Sequence, residues 1–281
     1  MYENDTLLQK SLKKAYGGGI SGALAMSTQV TTLMWLRTTM NYQYRYGGTT
    51  TSAIKNLYKD GGILRFYRGF GAAILQAPLS RFGDTAANVG IISYLNANEQ
   101  TKDMHISLKT LVASGGAATW RIFLMPIDTI KTIMQVEGKS GINILKNKVK
   151  LNGIPTLYHG ALGACSATFV GHFPWFFTYN YLNEKLPTYD SIGTNLVRNG
   201  FIGFSSSVVS DCCSNSIRVI KTTRQTYNIP LSYTDTIKHV IKEDGISGLM
   251  GRGLKTRIIA NGTQGLLFSI MFKYFENLYV S

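Results

Sequence analysis

Along this chain, apolar residues fall into long blocks at helical spacing, separated by shorter polar and basic stretches, and the alternation returns about every ninety residues. The first block opens at Gly17-Gly-Gly-Ile-Ser-Gly22 and is expected to end near Arg37. Small-residue runs at Gly115–Ala118 and Gly200–Ser207 open two later blocks in the same way. Further blocks cover 70–95, 161–183 and 254–278. The pattern predicts six long helices in three pairs, as repeats over 15–100, 105–190 and 195–281 of one unit spanning 1–281. Gly18 and Gly22, four apart, suit close approach of helices. A phosphate-binding loop is disfavoured there, because no strand precedes the glycines and no Lys-Ser/Thr follows.

Two short signatures repeat in phase with these blocks. The first is Pro126-Ile-Asp-Thr-Ile-Lys-Thr-Ile-Met-Gln135, with counterparts at Thr32–Asn41 and Ser216–Gln225; the starts are 94 and 90 residues apart. Pro126 is expected to kink its helix, since the ring removes a backbone donor and crowds the preceding turn. Asp128 and Lys131, three apart, share a helix face. The second signature is Asp60-Gly-Gly-Ile-Leu-Arg-Phe-Tyr-Arg-Gly69, matched by Asp244–Gly253 and more weakly by Asn152–Gly160. It reads as a short amphipathic helix, a turn and the start of the next long helix. Its closing glycines are 91 and 93 residues apart.

Composition turns this helical pattern into a membrane reading. Only 16% of the 281 residues are charged, against about 25% in soluble domains. The mean hydropathy is +0.01, and no run of about 18 apolar residues stands out. A bundle around a polar cavity reconciles the two, because each helix can then be polar on one face. The net charge of +14 points to an anionic partner such as a lipid headgroup surface. Nucleic acid is not expected, since the basic segments are short loops between apolar blocks and carry no associated motif. The segments 37–69, 131–160 and 218–257 hold nineteen of the 29 Lys and Arg residues and five of the 15 acids, so they lie on one side. Cys165, Cys212 and Cys213 have neither metal-ligand nor redox-motif spacing and read as reduced thiols. No Ser-His-Asp, Cys-His or metal grouping emerges, so neither an enzyme nor a metal site is expected. The first residues, Met1–Asp5, carry acids and no arginine-rich amphipathic pattern, and no cleavable leader is read there.

Both signatures, in phase over nearly the whole chain, resemble the mitochondrial carrier family, whose three repeats each carry Pro-x-[Asp/Glu]-x-x-[Lys/Arg] late in the odd-numbered helix. The resemblance implies an all-α membrane protein of six transmembrane helices in three pseudo-symmetric repeats, with short matrix helices. It also implies the mitochondrial inner membrane with internal targeting signals, and a matrix location for the basic side. Among these copies only the middle one is intact. The acidic position reads Met34, Asp128 and Arg218, and the basic position reads Arg37, Lys131 and Lys221.

In such carriers the matrix motifs pair head to tail in a ring of salt bridges that opens during transport. The ring here is expected to set Asp128 against Arg37, Lys131, Arg218 and Lys221, and one acid cannot neutralise four bases. Gln135 and Gln225 match the family's glutamine brace, with Asn41 in the first repeat. The opposite gate maps to Tyr179, Asn180 and Asn183 in the middle repeat and to Lys273 and Glu276, reversed in charge, in the third. The first repeat offers only Asn88-Val89. The central cavity positions map to Gln76, Ala167, Thr168 and Ala260, all uncharged. Tyr67, Arg68, Gly69, Gly160, Arg252 and Gly253 match the positions whose backbone donors hold cardiolipin phosphate, which fits the affinity of helix N-termini for anions; simple helix capping is the alternative. Arg81, Asp84, Arg121, His172 and Asp211 lie within spans, where ionisable residues mark pairing or solute contact.

Two functions follow from the resemblance. The degenerate gates favour an accessory subunit of a larger inner-membrane assembly, such as a respiratory-chain complex. The alternative is an active solute carrier working by alternating access on an unknown, possibly neutral, substrate. No cofactor is expected beyond structural cardiolipin. Membrane lipids and other inner-membrane subunits are the expected partners.

Overall fold

The computed structural model describes residue 24, residues 26–188 and residues 191–279; within the helices it leaves out some side chains, including those of Arg81, Asp84, Asn88, Val89, Lys273 and Glu276. The opening glycines at 17–22 lie outside the described residues. Ten helices follow in order: α1 (26–46), α2 (Thr50–Phe66), α3 (Phe70–Ala97), α4 (Ile106–Phe123), α5 (Met125–Glu137), α6 (Gly141–Asn152), α7 (Ala161–Lys185), α8 (Ile192–Thr226), α9 (Tyr233–Gly251) and α10 (Leu254–Tyr279). No strand occurs among the described residues.

Six long rods form the bundle: α1, α3, α4 with α5, α7, α8 and α10. The helix α1 continues well past Arg37, because nothing from Thr38 to Tyr46 interrupts it before Gly47 and Gly48, both at positive φ. The proline of the first signature decides whether a rod is broken. Pro126 stands at the start of α5, and the helix lapses at Leu124. With Thr32 and Ser216 at the matching positions, α1 and the 35-residue α8 run through without a break.

Neighbouring repeats are tied in a circle. Arg65, just before α3, donates from Nη1 and Nη2 to the carbonyls of Gln135 and Val136 at 2.7 and 2.5 Å, the last turn of α5. Lys148 on α6 donates from Nζ to Gln225 O near the end of α8, at 2.9 Å. Arg252 closes the set by donating from Nη1 to Arg45 O at the end of α1, at 3.2 Å. Each repeat therefore places a cation on the carbonyls that end the next repeat's odd rod, which lack helical partners and where the helix dipole favours positive charge. The glycines that open the even rods follow the same rotation. A Cβ on Gly69 would stand 3.0 Å from Lys131 O, one on Gly160 2.8 Å from Gln225 Cγ, and one on Gly253 2.8 Å from Tyr44 Cε1. All three have positive φ, so glycine is required both for the turn and for the close approach.

The core lies between adjacent rods rather than at the bundle axis. Met26, Val30 and Met34 of α1 pack on Ala73 and Ala77 of α3, and Leu33 and Leu36 of α1 pack on Ala260 of α10. Among the described residues no helix is long and apolar enough on its own to cross a membrane. The polar residues responsible face inward, and large side chains such as Phe82, Phe123, Phe173, Phe177 and Phe201 are exposed on the outside.

Candidate functional site

A cavity of about 370 Å³ occupies the bundle axis, lined by residues from all six rods. One carboxylate organises its polar side. Asp128 sits in the first turn of α5, positioned by the helix break at Leu124. Its Oδ1 accepts from Lys131 Nζ at 2.7 Å and its Oδ2 accepts from Lys221 Nζ of α8 at 2.5 Å. Gln76 of α3 joins the group: its Oε1 accepts from Lys131 Nζ at 2.9 Å, and its Nε2 lies 3.4 Å from Asp128 Oδ1. Gln225 Nε2 donates to Thr129 Oγ1 at 3.1 Å and stands 3.5 Å from Asp128 Oδ2. One level further along, Asn41 Nδ2 donates to Gln135 Oε1 at 2.6 Å, linking α1 to α5. The cluster thus joins all three repeats through a single negative charge.

The four bases do not converge on that charge as the sequence suggested. Arg37 donates from Nη2 to Gln264 Oε1 of α10 at 2.5 Å, and Arg218 from Nε to Ser214 Oγ at 3.4 Å. Neither reaches a carboxylate among the described residues. Mutual repulsion and the single available acid separate them from the lysines. Met34, at the acidic position of the first repeat, is fully buried in the apolar contact with Val30, Ala73 and Ala77.

The family described as mitochondrial carrier protein matches residues 9–95, 103–190 and 193–281. The chain belongs to the mitochondrial carrier family. Mitochondrial substrate carrier family protein X of Dictyostelium discoideum is 24% identical over 255 residues, covering 86% of this chain and 83% of its own length. A mitochondrial thiamine pyrophosphate carrier of Lodderomyces elongisporus is 26% identical over 172 residues, 55% of this chain and 54% of that protein. A mitochondrial arginine transporter of Arabidopsis thaliana is 28% identical over 159 residues, 52% of each chain. The chain thus spans about half the length of the last two relatives. In this family the six rods are the transmembrane helices, in three pseudo-symmetric pairs with short helices on the matrix side.

Asp128, Lys131 and Lys221 thus form a bridge between repeats at positions that the sequence matched to a matrix gate, with Gln225 beside it, while Asn41 donates to Gln135. Of the central positions, Gln76, Thr168 and Ala260 line the cavity, whereas Ala167 is fully buried and does not. Thr168 returns its hydroxyl to Ala164 O at 3.0 Å, and Gln76 is drawn into the Asp128 cluster. The central positions supply no charge, but the cavity is far from neutral. Among the described residues Arg37, Arg121, Lys131, Arg218, Lys221 and Arg257 line it, against Asp128 alone.

Arg257 is the main residue that counting from the signatures missed. It donates from Nε to Asp211 Oδ1 at 2.5 Å and approaches the Tyr44 hydroxyl at 3.4 Å, while Asn261 also donates to Asp211. By sequence it falls at the end of a basic loop segment; in the fold it lies in the first turn of α10, one turn before Ala260. Its signal was available as the i, i+4 spacing from Arg257 to Asn261, both on the cavity face.

On the opposite side, Asn183 accepts from Arg198 Nη1 of α8 at 2.9 Å, and Arg198 Nη2 donates to the carbonyls of Asn183 and Leu186. That tie runs between helices and uses Arg198, which the family pattern did not single out. Tyr179 stacks on Trp175 with ring centroids 5.1 Å apart, and Asn180 is exposed. The side chains of Lys273 and Glu276 lie outside the described residues.

At the matching lipid positions, Gly69, Gly160 and Gly253 precede the first turns of α3, α7 and α10. Tyr67 packs against the Met26–Ala77 cluster, and Arg68 is half-buried. Arg252 turns inward instead: its side chain is buried and engages Glu243, Asp244 and Arg45 O. Of the span residues, Ser114 Oγ meets His172 Nδ1 at 2.6 Å. Cys212 and Cys213 are exposed, on the outer face of α8, and Cys165 is half-buried.

Proposed function

We propose that this protein moves a solute across the mitochondrial inner membrane by alternating access. The observation that carries the proposal is the axial cavity bounded by one shared carboxylate, with Lys131 and Lys221 donating from different repeats. From sequence, a four-to-one excess of bases argued against a working gate. With Arg37 and Arg218 turned to neutral acceptors, two lysines and two glutamines attend Asp128, an arrangement that closes without a second acid. A gate must be only marginally stable, since opening and closing need two states within a few kcal/mol. A single inter-repeat bridge suits that need. Relatives named as carriers of thiamine pyrophosphate and of arginine point the same way. Their cargoes have opposite charge, so the names do not select a substrate.

The accessory-subunit reading keeps one specific support: Met34 and Arg218 stand where two further acids would complete a ring. Cardiolipin is the proposed structural lipid, at the starts of α3, α7 and α10, where backbone donors face the basic side.

Reconstitution decides between the two readings. The purified protein in cardiolipin-containing vesicles, loaded with a mixed solute pool, is expected to exchange at least one labelled solute, and Asp128→Asn is expected to abolish the exchange. Absence of exchange across anionic, cationic and neutral solutes, with co-migration of the protein in a large complex on native gels, would overturn transport in favour of the accessory role.

A further inference from the structure

Among the described residues the cavity lining holds more positive charge than its own gate uses. Lys131 and Lys221 share Asp128, and Arg257 has Asp211. Arg37 and Arg218 line the same cavity, and among the described residues their side-chain partners are Gln264 Oε1 and Ser214 Oγ. A guanidinium carries five N–H donors in a planar fork, so each of these cavity-lining side chains uses one in the bond named and has further donors to offer a ligand. Two such groups, half-buried and without a carboxylate, are costly unless an anion joins them.

Their positions sharpen the point. Arg218 occupies the acidic position of the third repeat, and Met34 fills that of the first with an apolar side chain. The protein has therefore removed two negative charges from the gate and added one positive charge in the same place. Meanwhile Met26, Val30, Met34, Ala73 and Ala77 give the cavity one apolar wall.

We propose that the cargo is an organic solute whose head is a compact oxyanion of at least two negative charges, a phosphate monoester, a pyrophosphate or a geminal dicarboxylate. Arg37 and Arg218 clamp that head, and the uncharged body of the solute rests on the Met26–Ala77 wall. A phosphoryl or carboxylate oxygen pair matches the guanidinium fork bidentately, and Arg37 and Arg218 stand on different repeats around the one cavity. The bound head then supplies the negative charge that Met34 and Arg218 withhold, so the gate ring is completed by cargo rather than by side chains. This inference rests on the transport reading for its meaning, but the binding site can be tested apart from it.

The experiment uses the full-length protein in detergent, with thermal unfolding as the readout and ionic strength held constant with potassium chloride. The probes are inorganic pyrophosphate, phenyl phosphate, malonate, lysine and glucose. Pyrophosphate, phenyl phosphate or malonate is expected to raise the unfolding temperature, and lysine and glucose to leave it unchanged. Arg37→Gln and Arg218→Gln are each expected to weaken the anion by about tenfold or more, the loss of a charge-assisted hydrogen bond, and the double variant to remove the shift. Arg218→Lys, which keeps the charge and the fold but loses the fork, is expected to bind more weakly than the native protein and better than Arg218→Gln. A response to the phosphoryl probes alone, or to malonate alone, assigns the head. No anion response in the native protein, or an equal response in a folded double variant, would overturn the proposal. Exchange of a neutral solute in vesicles without any anion response leaves transport standing and removes the clamp. An anion response dependent on both arginines without exchange of any solute leaves the clamp standing and removes transport.

Discussion

Lys221 reaches 93 residues back along the chain to place Nζ 2.5 Å from Asp128 Oδ2, and no other salt bridge among the described residues spans so far. It joins α8 to α5 at the one carboxylate that lines the cavity among the described residues. The two ends of this contact are unequal. Asp128 has a second cation in Lys131, whereas Lys221 has Asp128 alone among the described residues.

That inequality sets the order of two variants. Asp128→Asn leaves two lysines facing each other and is expected to lower stability by about 3–5 kcal/mol, the usual cost of breaking a buried pair. Lys221→Met leaves Asp128 with Lys131 and Gln76 and is expected to cost less. Thermal unfolding of the purified variants ranks them; equal losses would mean that Lys131 does not hold the carboxylate alone.

A glycine pair tests the circular seating of the even rods. Gly69→Ala meets positive φ and a backbone carbonyl 3.0 Å away, so it is expected to destabilise by about 1–3 kcal/mol. Gly71→Ala, two residues on in the same helix with open space around it, is expected to be neutral or to stabilise by up to about 1 kcal/mol. Denaturation curves should shift to lower stability for Gly69→Ala and should not do so for Gly71→Ala.

Burial pushes the Lys148 ammonium down from its ordinary 10.5 to about 8, with Arg224 and Arg45 adding to the effect and Glu137 opposing it. Between those values the unfolded chain binds more protons than the folded one, so stability contributed by this group rises as pH climbs from about 8 to about 10.5. Below that window the contribution is constant at its lowest. Lys148→Met is expected to flatten the rise. The difference between native and variant stability across pH 7–11, measured in one detergent, isolates this group from other titrations.

Met34 gives a test of the apolar wall. Met34→Asp places a carboxylate among Val30, Ala73 and Ala77 and is expected to cost about 2–4 kcal/mol, whereas Met34→Leu conserves volume and should cost less than about 1.5 kcal/mol. A tolerated aspartate would show that Arg37 can turn from Gln264 to pair with it.

The rods were legible because apolar spacing and the closing glycines repeat in phase; the even rods begin at Phe70, Ala161 and Leu254, one residue after Gly69, Gly160 and Gly253. The end of α1 was not, since a charged residue does not stop a helix and Gly47 does. At the site, Asp128 with Lys131 could be read from one turn of helix. Lys221 could be placed at the gate only by the threefold register, and its choice over Arg37 and Arg218 depends on side-chain reach that no register encodes. The charge of the cavity was hidden for a related reason. Counting assigns one residue per rod to the centre, whereas Arg257 enters from a turn away, where Asp211 and Tyr44 hold it.

The carbonyl-capping circle also dictates when this protein can fold. Arg65 and Lys148 find their acceptors 70 and 77 residues downstream, but Arg252 must find Arg45 across 207 residues, and Arg37 must find Gln264 across 227. The first two links can form while the chain is still being made. The last cannot exist until the third repeat has emerged, and closing so long a loop is entropically slow. Until that moment the first repeat keeps an open flank, with the last carbonyls of α1 and the pocket for Gly253 uncovered. An unfinished chain is therefore an incomplete ring with two sticky edges, and its survival in the cell depends on how soon those edges meet.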